Sequence, residues 1–388
     1  MDKAAVGSFV YSFFYLMAAG FISTILPVHA TELGANVAEI GPFWTVAAIS
    51  SLAMTLFWGS VSDRSGKRMS HVLMGTAVLS VISILYSFAG NVYHIGAIMV
   101  LGQMLGSSQA FPIFMTFVSE TSSAEMRGRS MGIFWTGGSI GWGLAESLAG
   151  AITEHWGTRA IFYLCSILFI FCLTAVRKLL WRFPLKEKAQ SERGATVGEA
   201  MKSLGRFSLP FAIFWLATMC FYISDIVKMS YSLLFFEQEL HLGRALATLV
   251  LSLGTWATIP SLPILGALSD RIGRKPLLLL GLFGAFLFNV LMFLSQNHFH
   301  VGLALLLYAV IWGYAVAGGA FVGDLVDEQD RAKAMSLYNS SSSMASIVAP
   351  TVMSLAILKT DFRTAFLIIA AVAVIGLLMV LFGIREPD

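Results

Sequence analysis

The chain has 388 residues, 57% hydrophobic and 12% charged, against roughly 45–50% and 25% in soluble domains. So little polar surface excludes a water-soluble globule of this size and makes lipid the main solvent. A net charge of +3 is no basic field for nucleic acid, and at about 20 residues per crossing the length allows about a dozen spans.

Met1 and Lys3 precede an apolar run from Ala4 to Ala30. It is too long for a signal-peptide core and lacks a small-x-small cleavage site, which predicts an uncleaved first span. Further apolar runs predict spans over Val37–Val61, Met69–Gly90, Tyr93–Ser119, Ser130–Thr153 and Arg159–Leu180. A stretch dense in Lys, Arg, Glu, Gln and Ser, Trp181 to Arg206, is the one connection long enough to join two independently packed halves. Spans resume over Phe207–Phe236, Ala245–Leu268, Pro276–Gln296, Phe299–Gly323, Ala334–Leu358 and Phe362–Gly383. The expected organisation is an all-α membrane protein: a six-helix bundle over 1–180, a cytoplasmic linker over 181–206 and a second six-helix bundle over 207–388.

Short loops rich in Lys and Arg stay on the cytoplasmic side. With twelve spans and both termini inside, twenty basic residues fall on that side and only Arg159, Arg244, Lys359 and Arg363 on the other, with Lys228 inside a span. Dropping one span would put later basic loops outside, so the asymmetry predicts cytoplasmic termini.

One pattern occurs twice. Gly59, Asp63, Arg64, Gly66, Lys67 and Arg68 between the second and third spans return 207 residues later as Gly266, Asp270, Arg271, Gly273, Arg274 and Lys275. Arg127 and Arg331, Met131 and Met335, and Arg159 and Arg363 pair at an offset of 204, and Gly106 pairs with Gly313 at 207. This repeated G-x-x-x-D-R-x-G-[RK]-[RK] resembles the signature loop of the major facilitator superfamily. The resemblance implies two parallel six-span repeats, a solute site near the midplane between them and transport by alternating access.

Gly59 and Gly266 are expected to let helix ends approach a neighbour closely, and Gly66 and Gly273 to permit the turn. In the family this loop is thought to latch the halves in one state. Asp63 is the position onto which that role carries, with Glu120 and Asp324 as partners for Arg127, Arg129 or Arg331. A loop that only fixes topology is the alternative.

Ionisable groups inside spans are expensive and usually functional. Glu146 lies in the fifth span, and Asp225 and Lys228 in the seventh. Efflux members of the family place Gly-Pro-x-x-Gly-Gly where this chain reads Ala145-Glu146-Ser147-Leu148-Ala149-Gly150, so Glu146 replaces the proline, whereas the second half keeps Pro350. A buried carboxylate that binds and releases a proton suits a proton-coupled exchanger; a buried polar contact between helices is the alternative. Asp225 and Lys228, three apart, can pair on one face, with Tyr222 and Ser232 beside them. Tyr15, Gln103, Gln109, Trp135, Trp142, Trp312, Tyr314 and Asn339 are candidates to line a cavity, or else simply pack. The Arg that many proton-coupled members carry four residues before the glycine of the fourth span is Gly102 here, which leaves a facilitator or another ion open.

Gly137-Gly138-Ser139-Ile140-Gly141 fits G-x-S-x-G, but within an apolar helix it reads as close helix packing and not as a nucleophile elbow. Cys165, Cys172 and Cys220 have no paired spacing, six of the seven His fall toward the outer face, and no ATP-binding P-loop occurs. The sequence is most like the drug and metabolite efflux branch. It implies a monomeric multi-pass protein of the plasma (inner) membrane, without cofactor or metal, that exports a small organic solute in exchange for protons. Uptake of a sugar or organic acid, and a lipid-moving or sensory role on the same fold, are the other readings.

Overall fold

A computed structural model describes residues 3–122, 126–180, 208–327 and 330–384. The expected linker, 181–206, lies outside them. The described chain is helical in long pieces, in order α1 (Lys3–Glu32), α2 (Val37–Ser65), α3 (Arg68–Ser87), α4 (Val92–Gly102), a π-helical turn (Gln103–Ser107), α5 (Ser108–Thr121), α6 (Arg127–Trp156) and α7 (Thr158–Ala175), which runs into a second π turn (Val176–Leu180). Then come α8 (Leu209–Gln238), α9 (Arg244–Ile272), α10 (Arg274–Leu294), α11 (His298–Ile311), α12 (Gly313–Leu325), α13 (Arg331–Lys359) and α14 (Phe362–Gly383). Taking α4–α5 and α11–α12 as single interrupted rods, eleven helices among the described residues are long and apolar enough to cross a membrane. α6 is not among the eleven: it has the length, 30 residues, but its glycines, hydroxyls and Glu146 lower its hydropathy.

The chain divides into two compact units. The first holds Met1–Asn36, Val46–Ser191 and Gly243–Ser252; the second holds Val37–Thr45, Glu192–Leu242 and Leu253–Asp388. The first nine residues of α2 thus pack with the second unit, and the start of α9 packs with the first.

In the first unit α1 lies along α6 because glycines remove the side chains that would separate them. A methyl at Gly137 would meet the Phe9 carbonyl oxygen at 2.7 Å, and one at Gly141 would overlap the Phe13 carbonyl oxygen. The glycines of the G-x-S-x-G match therefore serve helix packing. Gly141→Leu should lower the thermal unfolding midpoint in a scan of detergent-solubilised protein, with a cost above the usual 1–3 kcal/mol of overpacking because the obstacle is backbone. Beside this crossing Tyr11 stacks on Phe114, with centroids 3.9 Å apart, and Tyr15 on Phe111 at 5.1 Å.

The second unit is built on α8. Phe214 stacks on Tyr338 at 5.7 Å and Phe221 on Tyr314 at 4.5 Å, while the Tyr314 and Thr218 hydroxyls lie 2.9 Å apart.

The duplication extends to the caps. Asn91 accepts from the amide of His94, whose Nδ1 accepts from the amide of Gly90; Asn297 accepts from the amide of His300, whose Nδ1 accepts from the amide of Gln296. This is a variant of the capping box, with imidazole in place of carboxylate and the amide one residue before the N-cap as the donor. At α14, the Thr364 hydroxyl and amide donate to the Asp361 carboxylate and hold it below its ordinary range.

Candidate functional site

The signature region is more helical than its sequence suggests. α2 continues through Gly59, Asp63 and Arg64 to Ser65, and the turn shrinks to Gly66 and Lys67. Gly66 sits at φ +63° and Gly273 at φ +88°, the left-handed region that favours glycine. The expected close approach at Gly59 and Gly266 is not found. A methyl at Gly59 would have nothing within 4 Å, and one at Gly266 only Val316 at 3.9 Å, because these positions face away from neighbouring backbone.

Arg68 is the centre of this region. It is 8% exposed and its Nε and Nη2 donate to the two carboxylate oxygens of Glu120 at 2.5 and 2.7 Å, while Nη1 lies 2.8 Å from Asp63 Oδ1. Glu120 thus has Arg68 as a partner, which the sequence reading did not name for it. The start of α3 lies beside the end of α5, so the guanidinium fork reaches across directly. Arg127 opens α6, and its side chain lies outside the description. The second copy is wired differently: Arg274 pairs with Asp324, while Lys275 Nζ donates to the carbonyls of Leu381 and Ile384 at 3.2 and 2.6 Å, a cation at the end of α14. Asp270 and Arg271 are exposed.

Glu146 is 2% exposed on α6 and accepts a hydrogen bond from Trp142 Nε1 at 3.0 Å. On α8, Asp225 is 7% and Lys228 3% exposed, and the ammonium stands 4.9 Å from the centroid of Tyr308. Next to them Asn289 Nδ2 donates to Ser224 Oγ at 3.1 Å, and Tyr222 lies beside Asp225 and Tyr338. The intramembrane charges therefore fall into two groups, Glu146 in the first unit and Asp225 with Lys228 in the second.

The cavity candidates scatter. Asn339 is exposed, Trp312 forms the break between α11 and α12, and Gln103 begins the π turn. Tyr15 is buried between Phe111 and Phe169, and Tyr314 is buried on Thr218. Gln109 is fully buried, with its Nε2 2.9 Å from His71 Nδ1.

Several groups escaped the sequence reading. The π turn frees the Met104 carbonyl, which accepts from Trp58 Nε1 at 2.7 Å. In the first unit Glu32 Oε1 accepts from Arg244 at 2.7 Å and from Thr158 Oγ1 at 2.9 Å, and Glu154 accepts from the amide of Ala245 at 2.8 Å, a carboxylate at the start of α9. The amide of Gly150 donates to Thr248 Oγ1 at 3.0 Å; in the second unit the amide of Gly41 donates to Ser354 Oγ at 3.0 Å. Gly41 and Thr248 correspond at the 207 offset, and Gly150 and Ser354 at 204, so the repeat exchanges donor and acceptor. That offset was the one signal in the sequence for these pairs.

The profile of the Major Facilitator Superfamily matches residues 8–231 and 213–388. "Multidrug resistance protein MdtG" of Proteus mirabilis is 23% identical over 390 residues, 96% of this chain and 94% of that protein. "Sugar efflux transporter A" of Dickeya chrysanthemi is 23% identical over 360 residues, 92% and 89% of the two chains. Among solved structures, a mutant form of nucleoside transporter NupG superposes with a TM-score of 0.84 at 14% identity, over 97% of this chain and 99% of that one. A POT family transporter in complex with 5-aminolevulinic acid gives a TM-score of 0.80 at 13% identity, over 98% and 96%. At those identities the structures share the fold alone. The profile, in contrast, runs through both copies of the repeated signature, and this integral, multi-pass membrane protein belongs to the Major Facilitator Superfamily.

Proposed function

We propose that the protein is a secondary active transporter that exports a small organic solute by alternating access, in exchange for protons. The observation that carries this reading is Glu146, a carboxylate buried within a membrane-embedded helix, where it accepts from a neutral indole. A carboxylate there costs least when it can pick up a proton. Similarity to a multidrug resistance protein and a sugar efflux transporter over nearly the whole chain supports the export direction.

In this reading α6 is the twelfth crossing segment beside the eleven apolar ones, both termini and the 181–206 linker are cytoplasmic, and the protein works as a monomer in the inner membrane without a cofactor. Arg68, held between Asp63 and Glu120, is the cytoplasmic latch. Lys228 and Asp225, with Tyr222, contact the solute. The buried ammonium also favours a second reading, in which the cargo is an organic acid whose carboxylate Lys228 binds.

The test is proton movement in proteoliposomes when cationic drugs, sugars and organic acids are added in turn. A solute that drives proton flux opposite to its own movement supports the proposal. Solute movement across the panel with no proton flux overturns the coupling and leaves a facilitator.

A further inference from the structure

Asn289 is fully buried on α10, and its surroundings fix the orientation of its amide. Nδ2 donates to the carbonyl oxygen of Ala285, one turn earlier on the same helix, at 2.8 Å and to Ser224 Oγ on α8 at 3.1 Å. A carbonyl oxygen only accepts, so the end of the amide that faces it is the NH2 end, and a flipped amide would set two acceptors against each other. Oδ1 is therefore the group left over, buried with no hydrogen-bond partner among the described residues. An unmet buried acceptor is costly, and a nearby donor would relieve it. The donor that the fold brings to it is Lys228. Ser224 and Lys228 are one turn apart on the same face of α8, and helical side chains lean toward the N-terminus of their helix. The Lys228 stem thus runs toward the turn on which the Asn289 amide rests. Its ammonium stands 4.9 Å from the centroid of Tyr308, and Phe288, the chain neighbour of Asn289, packs edge-on against that same ring with centroids 5.6 Å apart.

From this geometry we propose that Asn289 Oδ1 is a second docking position for the Lys228 ammonium, taken up when the solute occupies Asp225. The proposal rests on the reading above in which Asp225 and Lys228 contact the solute. Before the solute arrives, the Asp225 carboxylate, three residues away on α8, and the Tyr308 ring compensate the buried charge. Once a donor group of the solute engages that carboxylate, the attraction holding the ammonium there weakens. Rotation about its flexible stem then carries the ammonium to an oxygen that has no other donor, and a charged donor makes the stronger kind of hydrogen bond. Occupancy of a site on α8 is in this way passed to α10. Asn289 acts through Lys228 and is a positioning residue of the transport step.

The experiment is a charge swap, read as thermal unfolding midpoints of the full chain in lipid nanodiscs without solute. Asp225→Asn should lower the midpoint because a buried ammonium loses its carboxylate, and Asn289→Asp should lower it because two carboxylates then share one ammonium. The double variant Asp225→Asn/Asn289→Asp should stand above both single variants, since Lys228 then pairs with the carboxylate on α10. A double variant that does not exceed both singles overturns the proposal. If Asp225→Asn alone does not fold, a folded double variant is the rescue and an unfolded one overturns the proposal. In the Lys228→Met/Asp225→Asn background, Asn289→Asp should lower the midpoint, and a rise there overturns the assignment to Lys228. With a transported solute, Asn289→Leu should cut the maximal rate severalfold at unchanged KM, and a wild-type rate overturns its part in transport. Loss of the rescue with export intact refutes the second docking position alone, whereas rescue in a protein that exports no solute refutes the transport reading alone.

Discussion

Glu146→Gln is expected to reduce solute-driven proton flux in proteoliposomes to the level of protein-free liposomes while the protein stays folded. Glutamine has nearly the same shape, and its amide oxygen can keep the hydrogen bond that Trp142 Nε1 gives to Glu146, so packing against α1 changes little. What is lost is the proton. A neutral amide has one charge state, and a site that cannot alternate between charged and neutral cannot couple proton movement to a change of conformation. Solute affinity should shift by less than about tenfold, which is 1.4 kcal/mol. Proton flux surviving in the variant would refute the coupling role, and a large drop in the thermal midpoint would assign Glu146 to a buried structural contact.

Arg68→Ala should cause a still larger loss, this time of stability and of transport together. The guanidinium meets both oxygens of Glu120 and one of Asp63, and the Glu120 side chain is only 11% exposed. Removing the cation takes a two-point ion pair away from a largely buried carboxylate, and breaking a buried pair costs about 3–5 kcal/mol. Asp63 is 62% exposed and contributes little, since surface pairs are worth about 0–1 kcal/mol. Arg68→Lys should not restore the wild type, because an ammonium cannot present two parallel donors to one carboxylate. Denaturation of Arg68→Ala, Arg68→Lys and Arg68→Ala/Glu120→Gln in detergent is the check. The double variant should recover part of the loss, and its failure to recover any would place the effect of Arg68 elsewhere than on Glu120.

Much of the architecture was legible in the chain because it rests on local quantities. Apolar runs of about twenty residues, the distribution of basic residues and a motif repeated at a fixed offset are set by the solvent and by duplication, and they need no knowledge of packing. Gly66 and Gly273 belong to this class, since a turn of one or two residues between long helices demands a positive φ. Burial of Glu146, Asp225 and Lys228 was legible for the same reason: a charge in the middle of an apolar run has few places to go except inward.

Partnerships across helices were not legible. Arg68 and Glu120 are 52 positions apart, and nothing in the sequence favoured Arg68 over Arg127 or Arg129, which lie nearer to Glu120 in the chain. Gly59 and Gly266 suggested close backbone contact, but Gly59 faces open space and Gly266 meets only the Val316 side chain, whereas Gly41, Gly141 and Gly150 carry the tight crossings. Gln109 suited a cavity by its chemistry and was instead buried on His71. The sequence by itself determined a duplicated helical membrane protein and which side chains are too polar for their surroundings. Only the tertiary structure decided which of them meet, because hydrogen-bond and ion-pair partners depend on the rotation and crossing of whole helices, and a shift of one residue along a helix turns a side chain by about 100°.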